Sequence, residues 1–286
     1  MTTPVTLGPS LLFCPADRPE RFEKAARAAD GVILDLEDAV APDKKAAARD
    51  AVIASTLDPA TTIVRINPIG SADFALDLAA LAASNFSIVM VAKCEDPESL
   101  DALSEYSVLA LCETAKGIVA AERIAAHPSV IGLMWGAEDL VASLGGTSSR
   151  RADGEYRDVA RVARARVLLA AGAAGKLAID AVHLDIPDTA GLEREARDAV
   201  ASGFAATACI HPTQAAGIRA AYAPNREEVA RARAILQAAS TNPGVFAFEG
   251  QMIDEPVLRH ARSLVARESA ASAHAPASGS AAAPSD

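Results

Sequence analysis

Acidic residues directly follow apolar segments at three points of this sequence. The segment GVILDLEDAV passes from three apolar residues into Asp35, Glu37 and Asp38. Glu113 follows VLALC, and Asp139 lies shortly after the apolar segment VIGLMW. Two carboxylates about 4 Å apart repel each other by roughly 4 kcal/mol at an effective dielectric near 20. These carboxylates must therefore be exposed to solvent or contact a cation.

A divalent metal ion is one such cation. Glu113 and the pair Glu138 and Asp139 supply carboxylate oxygens, which suit Mg²⁺ because this ion uses one or two protein carboxylates together with ligand oxygens and water. The alternative is that Glu113 and Asp139 form structural ion pairs with Arg65 and Lys93. The residue types alone leave both interpretations open.

Arg65, in the segment TIVRIN, is a second candidate cation. A guanidinium group binds a carboxylate with two hydrogen bonds or polarises a carbonyl group. Asp35 and Glu37 share one face of a strand because side chains alternate along it, so an arginine on the adjacent strand can neutralise one of them. Alternatively, the two aspartates of this segment shape the loop and pair with Lys44 or Arg49.

Gly136 and Ala137 separate Trp135 from the acidic pair that follows. A turn of small residues leaves its backbone N–H groups accessible. Such N–H groups form a seat for a carboxylate or an oxyanion.

The elements that carry these residues alternate between short apolar segments and longer alanine-rich ones. The predicted strands are residues 10–14, 32–36, 62–67, 88–92, 108–112, 130–135, 177–183 and 206–210. This alternation indicates a parallel sheet covered on its outside, and eight such units predict a (β/α)₈ TIM barrel. A doubly wound sheet is the alternative, but no Gly-x-Gly-x-x-Gly follows the first strand. Active residues of TIM barrels lie at the C-terminal ends of the strands, where we expect these polar residues to meet.

The pattern changes after residue 222. We predict a TIM-barrel catalytic domain, a short C-terminal helical extension or lid, and a disordered low-complexity tail, over residues 8–222, 223–267 and 268–286. The extension should contain a helix over 223–240 that is capped by Asn225, a loop over 248–256 and a second helix over 257–267. Within the barrel, 143–155 should form a long loop after the sixth strand.

The composition limits the classes of partner. The chain has 286 residues, 51% of them hydrophobic, and 27 Lys and Arg against 37 Asp and Glu, which gives a formal charge of -10. This charge disfavours nucleic-acid binding, which depends on basic residues. The four cysteines form no C-x-x-C pair and are expected to be buried thiols of a reduced protein. Because no apolar stretch is long enough to cross a membrane, we expect a cytoplasmic protein without a membrane partner.

A series of short motifs runs through the chain. They are LFCPADRPERFEKA (12–25), VILDLEDAVAPDKKAAAR (32–49), VRIN (64–67), LCETAKG (111–117), WGAEDL (135–140), DGEYRDVA (153–160), CIHPTQ (209–214) and FEGQMID (248–254). In this order and spacing, the sequence resembles the HpcH/HpaI aldolase and citrate lyase β-subunit superfamily, and within it the CitE-like proteins of mycobacteria and related actinobacteria. The resemblance spans residues 8 to about 265.

This resemblance implies a Mg²⁺-dependent TIM barrel that makes or breaks a carbon–carbon bond next to a CoA thioester. It implies that Glu113 and Asp139 bind the metal, which chelates a 2-oxo acid such as glyoxylate, pyruvate or oxaloacetate. It further implies that Gly136, Ala137 and Glu138 bind substrate, with the backbone amides around them holding the carboxylate of the oxo acid.

The remaining site residues also rest on the resemblance. It implies that Arg65 contacts the reacting oxygens and that Glu37 lies in the same pocket. Asp254 would act as acid and base in the site of a neighbouring subunit of a homotrimer. CoA would lie over the first loops of the barrel, where Arg18 contacts phosphate and Arg21 and Lys24 are further candidates.

The predicted function is a reversible carbon–carbon lyase. It would cleave a 3-hydroxyacyl-CoA such as malyl-CoA or citramalyl-CoA into an acyl-CoA and a 2-oxo acid, with hydrolysis of the thioester as a variant. Two alternatives are an aldolase for CoA-free hydroxy-oxo acids and a non-catalytic subunit that binds metabolites. The first needs no nucleotide site, and the second needs no intact metal site.

Overall fold

The computed structural model describes residues 7–273 of the chain. Eight parallel strands close into a barrel in which each strand pairs with the next and the eighth pairs with the first. The strands are β1 Ser10–Pro15, β2 Gly31–Asp35, β3 Thr62–Ile66, β4 Ile88–Val91, β5 Ser107–Cys112, β6 Val130–Trp135, β7 Leu177–Asp180 and β8 Ala206–Cys209. The predicted (β/α)₈ TIM barrel is confirmed, and the doubly wound alternative is wrong because that sheet would be open.

Helices connect most of the strands. They are α1 Phe22–Ala28, α2 Lys45–Ala54, α3 Phe74–Ala82, α4 Ala115–Ala125, α5 Ala137–Ser143, α6 Asp158–Ala173, α7 Thr189–Ser202 and α8 Pro212–Tyr222. The connection between β4 and β5 departs from this pattern, since it holds only a 3₁₀ helix over Glu98–Leu103. This short segment covers the barrel there by burying Leu100 and Leu103.

Aliphatic side chains fill the inside of the barrel. The buried cluster consists of Leu7, Leu11, Ile33, Ile63, Ile88, Met90, Leu109, Leu111, Met134, Ile179, Ala206 and Ala208. Because the strands are also covered by helices on the outside, both of their faces are apolar, which explains their near-continuous apolar sequence. The polar residues that end the strands lie at one end of this packed interior.

Two elements near the sixth and seventh strands differ from the prediction. The strand expected over 177–183 ends at Asp180, whose carboxylate accepts hydrogen bonds from Trp135 Nε1 at 2.6 Å and from its neighbour Ala181 N at 3.0 Å. Because the N–H group of Ala181 donates to this carboxylate, it is not available to extend the strand. The helix α5 was missed because it is one of the shortest in the chain and its N-cap, Gly136, makes no side-chain cap.

The chain divides into two compact units between Ala220 and Ala221. The second unit contains α9 Arg226–Ala239, β9 Phe246–Phe248, β10 Gln251–Ile253 and α10 Glu255–Ala273. The side chain of Asn225 accepts a hydrogen bond from Glu227 N at 2.9 Å, which confirms the predicted cap. The core of the second unit is formed by Ala232, Ile235, Ile253, Leu258, Ala261 and Leu264.

Two elements of the second unit differ in extent or type from the prediction. The expected loop over 248–256 is mostly an antiparallel hairpin, because Glu249 and Gly250 have φ angles of 48° and 77° and form a two-residue turn that suits hairpins. The last helix runs past residue 267 to Ala273, since ESAASA contains no helix-breaking glycine or proline. The remainder of the predicted disordered tail, 274–286, lies outside the described residues. Among the helices of residues 7–273, none has the length and apolarity needed to span a bilayer.

Candidate active site

The carboxylate of Glu113 lies at the centre of the candidate site. Glu113 directly follows β5, is 3% exposed, and accepts a hydrogen bond from Lys93 N at 3.0 Å. Burial, followed by the nearby Asp139 carboxylate, raises the pKa of Glu113 to about 8. A Cβ atom at Gly136 would lie only 2.9 Å from Glu113 Oε2, so glycine is required for the carboxylate to occupy this position.

The acidic pair in the first turn of α5 separates into two roles. Asp139 is 39% exposed at its side chain, and its Oδ1 lies 3.5 Å from Lys93 Nζ. Glu138 instead accepts a hydrogen bond from Ser149 Oγ at 2.5 Å and thereby anchors the loop that follows α5. The structure therefore groups Asp139 with Glu113 and directs the carboxylate of Glu138 to the loop.

Arg65 is held rigidly on β3. Its Nε donates to Asp35 Oδ1 at 2.7 Å and its Nη2 to Asp35 Oδ2 at 2.5 Å, while Nη1 lies 3.3 Å from Glu37 Oε2. The guanidinium also lies 4.8 Å from the ring centroid of Phe13. The predicted neutralisation of the strand-two carboxylates by Arg65 is confirmed for both Asp35 and Glu37.

The alternative partners proposed for the two aspartates are wrong. Lys44 lies 3.9 Å from its neighbour Asp43, and Arg49 Nε donates to Asp77 at 2.7 Å. Asp38 instead contacts Lys93 Nζ at 2.9 Å. Asp35 does shape the loop, because its carboxylate also accepts hydrogen bonds from Glu37 N at 2.9 Å and Ala39 N at 3.1 Å.

Two lysines complete the site. The sequence analysis had named Lys93 as a possible ion-pair partner of Glu113 and Asp139, and it missed Lys45. Lys93 Nζ hydrogen bonds Glu37, which is 3% exposed. Lys45 Nζ donates to the carbonyl oxygens of Leu36 and Glu37 at 3.0 and 3.3 Å, and so fixes the backbone beneath the Glu37 side chain. Burial raises the pKa of Glu37, while Arg65 and Lys93 oppose this rise. The position of Lys93 two residues after β4 was the signal for it, and its ion pair with Asp139 at 3.5 Å confirms the predicted pairing of these two residues.

A cavity of about 230 Å³ opens at this end of the barrel. Its lining includes Phe13, Arg65, Glu113, Gly136, Ala137 and Asp139. A larger cavity of about 740 Å³ shares Glu138 with it, and there Arg150 is paired with Glu195 and Arg164 with Asp180. The smaller cavity is the one lined by the predicted residues Arg65, Glu113 and Asp139.

Two predicted site residues, Arg18 and Asp254, do not line this cavity. Arg18 follows β1, has a side chain that is 54% exposed, and lies 3.7 Å from Asp17. Asp254 belongs to the second unit, where its Oδ1 accepts a hydrogen bond from Val257 N at 3.3 Å at the start of α10. The roles of Arg18 and Asp254 stay predictions.

A TIM barrel with a small acidic cavity, a buried carboxylate and a fixed arginine defines a class of enzymes that bind and polarise small oxygen-rich ligands. The family model of the HpcH/HpaI aldolase/citrate lyase proteins matches residues 9–212. The chain belongs to this family, as its motifs predicted, and the predicted enzyme class of carbon–carbon lyases is confirmed at this level.

Proteins of known name resemble the chain over nearly their full lengths. A citrate lyase subunit beta-like protein of Mycobacterium tuberculosis is 58% identical over 260 residues, covering 91% of this chain and 95% of the relative. Human mitochondrial citramalyl-CoA lyase is 29% identical, covering 90% and 84%. A (3S)-malyl-CoA thioesterase of Cereibacter sphaeroides is 32% identical, covering 92% and 95%.

Solved structures show the same relationship. The M. tuberculosis CitE protein in complex with magnesium, acetoacetate and coenzyme A is 57% identical with a TM-score of 0.88, covering 93% of this chain and 99% of that one. The M. tuberculosis citrate lyase beta subunit complexed with oxaloacetate and magnesium is 58% identical with a TM-score of 0.77, covering 78% and 100%. These relatives bind the cofactor and the kinds of ligand that the motifs predicted.

Proposed function

We propose that the protein is a Mg²⁺-dependent lyase that reversibly cleaves a 3-hydroxyacyl-CoA into an acyl-CoA and a 2-oxo acid. The observation that carries this proposal is the buried Glu113 carboxylate beside Asp139, facing a small cavity that also holds Arg65. Complexes of relatives with magnesium, coenzyme A and small oxo acids support it. Malyl-CoA and citramalyl-CoA are the candidate substrates, in line with the names of two relatives.

The residues of the site fit a magnesium ion. Glu113 is buried next to a second carboxylate, and its burial, followed by the charge of Asp139, raises its pKa even though Arg65 and Lys93 oppose the rise. A divalent cation bound between the two carboxylates would favour their ionised forms. Glu113 and Asp139 would hold the ion, with ligand oxygens and water completing its coordination. When bound, Mg²⁺ supplies Lewis-acid polarisation of the carbonyl and carboxylate oxygens of the oxo acid.

The protein's own residues would position the substrate and move its proton. Arg65, fixed by Asp35, presents its guanidinium to the reacting oxygens and stabilises the negative charge that develops on them. Gly136 and Ala137 leave the start of α5 open, and its first N–H groups are the proposed seat of the carboxylate of the oxo acid. Glu37 would contact the same ligand from the side of Lys93 and Arg65.

The cleavage step requires a base for the hydroxyl group. As that proton leaves, the carbon–carbon bond breaks and its electron pair passes to the thioester enolate, which is then protonated to the acyl-CoA. We assign the acid–base role to Asp254 of a neighbouring subunit in a homotrimer, and a phosphate contact of CoA to Arg18. The reduced, buried cysteines are in keeping with a cytoplasmic location.

Thioester hydrolysis after condensation is a second candidate activity, favoured by the similarity to a (3S)-malyl-CoA thioesterase. A CoA-free aldolase is the remaining enzymatic alternative.

Incubation with citramalyl-CoA and malyl-CoA separates these activities. Lyase activity releases an oxo acid, trapped as its phenylhydrazone, without free thiol, whereas hydrolysis releases free CoA. Cleavage of free hydroxy-oxo acids only, with neither thioester consumed, would overturn the proposal in favour of the aldolase.

A further inference from the structure

Lys93 has an unusual backbone conformation. Its φ angle is 49°, and the only other non-glycine residue with positive φ in the described chain is Glu249, in the hairpin turn of the second unit. Left-handed backbone at a lysine is unfavourable, and such conformations concentrate at functional sites where the surrounding contacts enforce them. We therefore expect the contacts of Lys93 to stabilise this conformation.

The backbone contact is with Glu113. Lys93 N donates to Glu113 Oε1 at 3.0 Å instead of joining the sheet, while the next residue returns to it, with Cys94 N donating to Leu111 O at 2.9 Å. The left-handed turn thus removes one N–H group from the hydrogen-bond pattern between β4 and β5. That N–H group fixes the carboxylate proposed to hold the metal.

The side-chain contacts are with three further carboxylates. Lys93 Nζ hydrogen bonds Glu37 and Asp38, the latter at 2.9 Å, and lies 3.5 Å from Asp139. One residue therefore contacts both proposed metal ligands and the two acids that follow β2. The Lys93 side chain is 29% exposed, so its charge and those of the carboxylates interact in a partly desolvated space.

Resting on the proposed function, we propose that Lys93 is the positioning and charge-balancing residue of this acidic centre. Its N–H group orients Glu113, and its ammonium holds Asp139 and Glu37 and competes with the divalent ion for Asp139. Lys93 does not line the cavity itself, but its ammonium lies 3.5 Å from Asp139, which does, so it adds positive charge beside the cavity that favours an anionic oxo acid.

This role predicts effects of opposite sign on two ligands. Replacing the ammonium by an uncharged group of similar length removes a cation from beside the metal site, so Mg²⁺ should bind more tightly. The same change removes positive charge from beside the cavity, next to its lining residue Asp139, so an oxo acid should bind more weakly. A purely structural role would not separate the two affinities in this way.

Isothermal titration calorimetry of the full chain tests the proposal with MgCl₂ alone and then with pyruvate at saturating Mg²⁺. Lys93→Met should tighten Mg²⁺ binding and weaken pyruvate binding, each by about tenfold. Lys93→Arg retains the charge and should keep both affinities within about threefold of wild type. Lys176→Met, which makes the same charge change just before β7 at the other end of the barrel, should alter neither. If Lys93→Met does not fold, Lys93→Gln provides the same comparison.

The outcomes separate failure of the Lys93 role from failure of the proposed function. Wild-type protein that binds both ligands, with Lys93→Met changing neither affinity or weakening both equally, overturns the role of Lys93 and leaves the proposed function standing. Wild-type protein that binds neither Mg²⁺ nor pyruvate overturns both proposals.

Discussion

Arg65 and Asp35 are directly paired across β3 and β2, and their side chains form two hydrogen bonds of 2.7 and 2.5 Å. Asp35 is 1% exposed and Arg65 12% exposed at the side chain, so the pair is almost fully removed from water. This pair fixes the guanidinium that faces the cavity. It also resolves why a buried strand ends in a carboxylate.

Breaking this pair should destabilise the barrel. Asp35→Asn leaves the buried Arg65 charge without its carboxylate, and we expect the free energy of unfolding to fall by about 3 kcal/mol. Urea denaturation measures this loss. Glu23→Gln is the matched control, because its carboxylate lies 3.8 Å from Arg27 on an exposed helix face. Equal effects of the two substitutions would contradict the structural role of the pair.

Gly136→Ala should remove metal binding without unfolding the protein. The added Cβ would lie 2.8 Å from Glu113 Cβ and 2.9 Å from its Oε2, so the carboxylate must move. We expect the stabilisation by MgCl₂ in a thermal melt to disappear. Gly172→Ala is the control, since nothing lies within 4 Å of its Cβ in α6, and it should keep the Mg²⁺ effect. Undiminished Mg²⁺ stabilisation of Gly136→Ala would argue against the assigned position of Glu113.

Glu113→Gln should separate activity from stability. Because folding raises the pKa of Glu113 from 4.5 to about 8, this group lowers the stability of the folded state as the pH rises from about 4.5 to about 8, and a neutral amide removes that loss when no metal is bound. The metal-free variant should therefore be at least as stable as wild type in urea. Its Mg²⁺-dependent turnover should be lost. Retained turnover would remove Glu113 from the metal site.

The four cysteines should be unreactive in the folded protein. All are buried, and burial raises the pKa of Cys14 to about 11 and those of Cys94 and Cys209 to about 12, and places that of Cys112 well above its usual value. At pH 8 the thiols are therefore protonated as well as inaccessible. Ellman's reagent should label four thiols in guanidinium and almost none in native protein. Rapid labelling of one native thiol would contradict its burial.

The barrel could be predicted because each of its strands is a short apolar segment that is easily recognised in the sequence. Eight apolar segments separated by helical ones leave few topologies, and the strand ends then bring Arg65, Glu113 and Asp139 together. The hairpin of the second unit was missed because it depends on left-handed backbone at Glu249 as well as at Gly250. Sequence patterns of apolar residues carry no information about such a turn when its first residue is a glutamate.

The sequence predicted which residues belong to the site more completely than it predicted which groups these residues contact. Lys93 was predicted only as an ion-pair partner of Glu113 and Asp139, because its backbone contact depends on a positive φ angle and its further partners, Glu37 and Asp38, are distant in sequence. The binding of substrate by the backbone amides around Glu138 stays a prediction, whereas the Glu138 carboxylate, which was paired with Asp139 as a candidate metal ligand, contacts Ser149. Adjacent residues in a helix point in different directions, and the sequence does not show which one faces the cavity.

Mass spectrometry of the condensation reaction tests the central claim most directly. The protein is mixed with Mg²⁺, acetyl-CoA or propionyl-CoA, and ¹³C-labelled glyoxylate or pyruvate, with and without EDTA. The proposed lyase should produce an EDTA-sensitive thioester that carries the label, or the labelled hydroxy acid together with free CoA. Absence of labelled product from every pair, with CoA binding also absent, would contradict the assignment of a CoA-dependent carbon–carbon lyase.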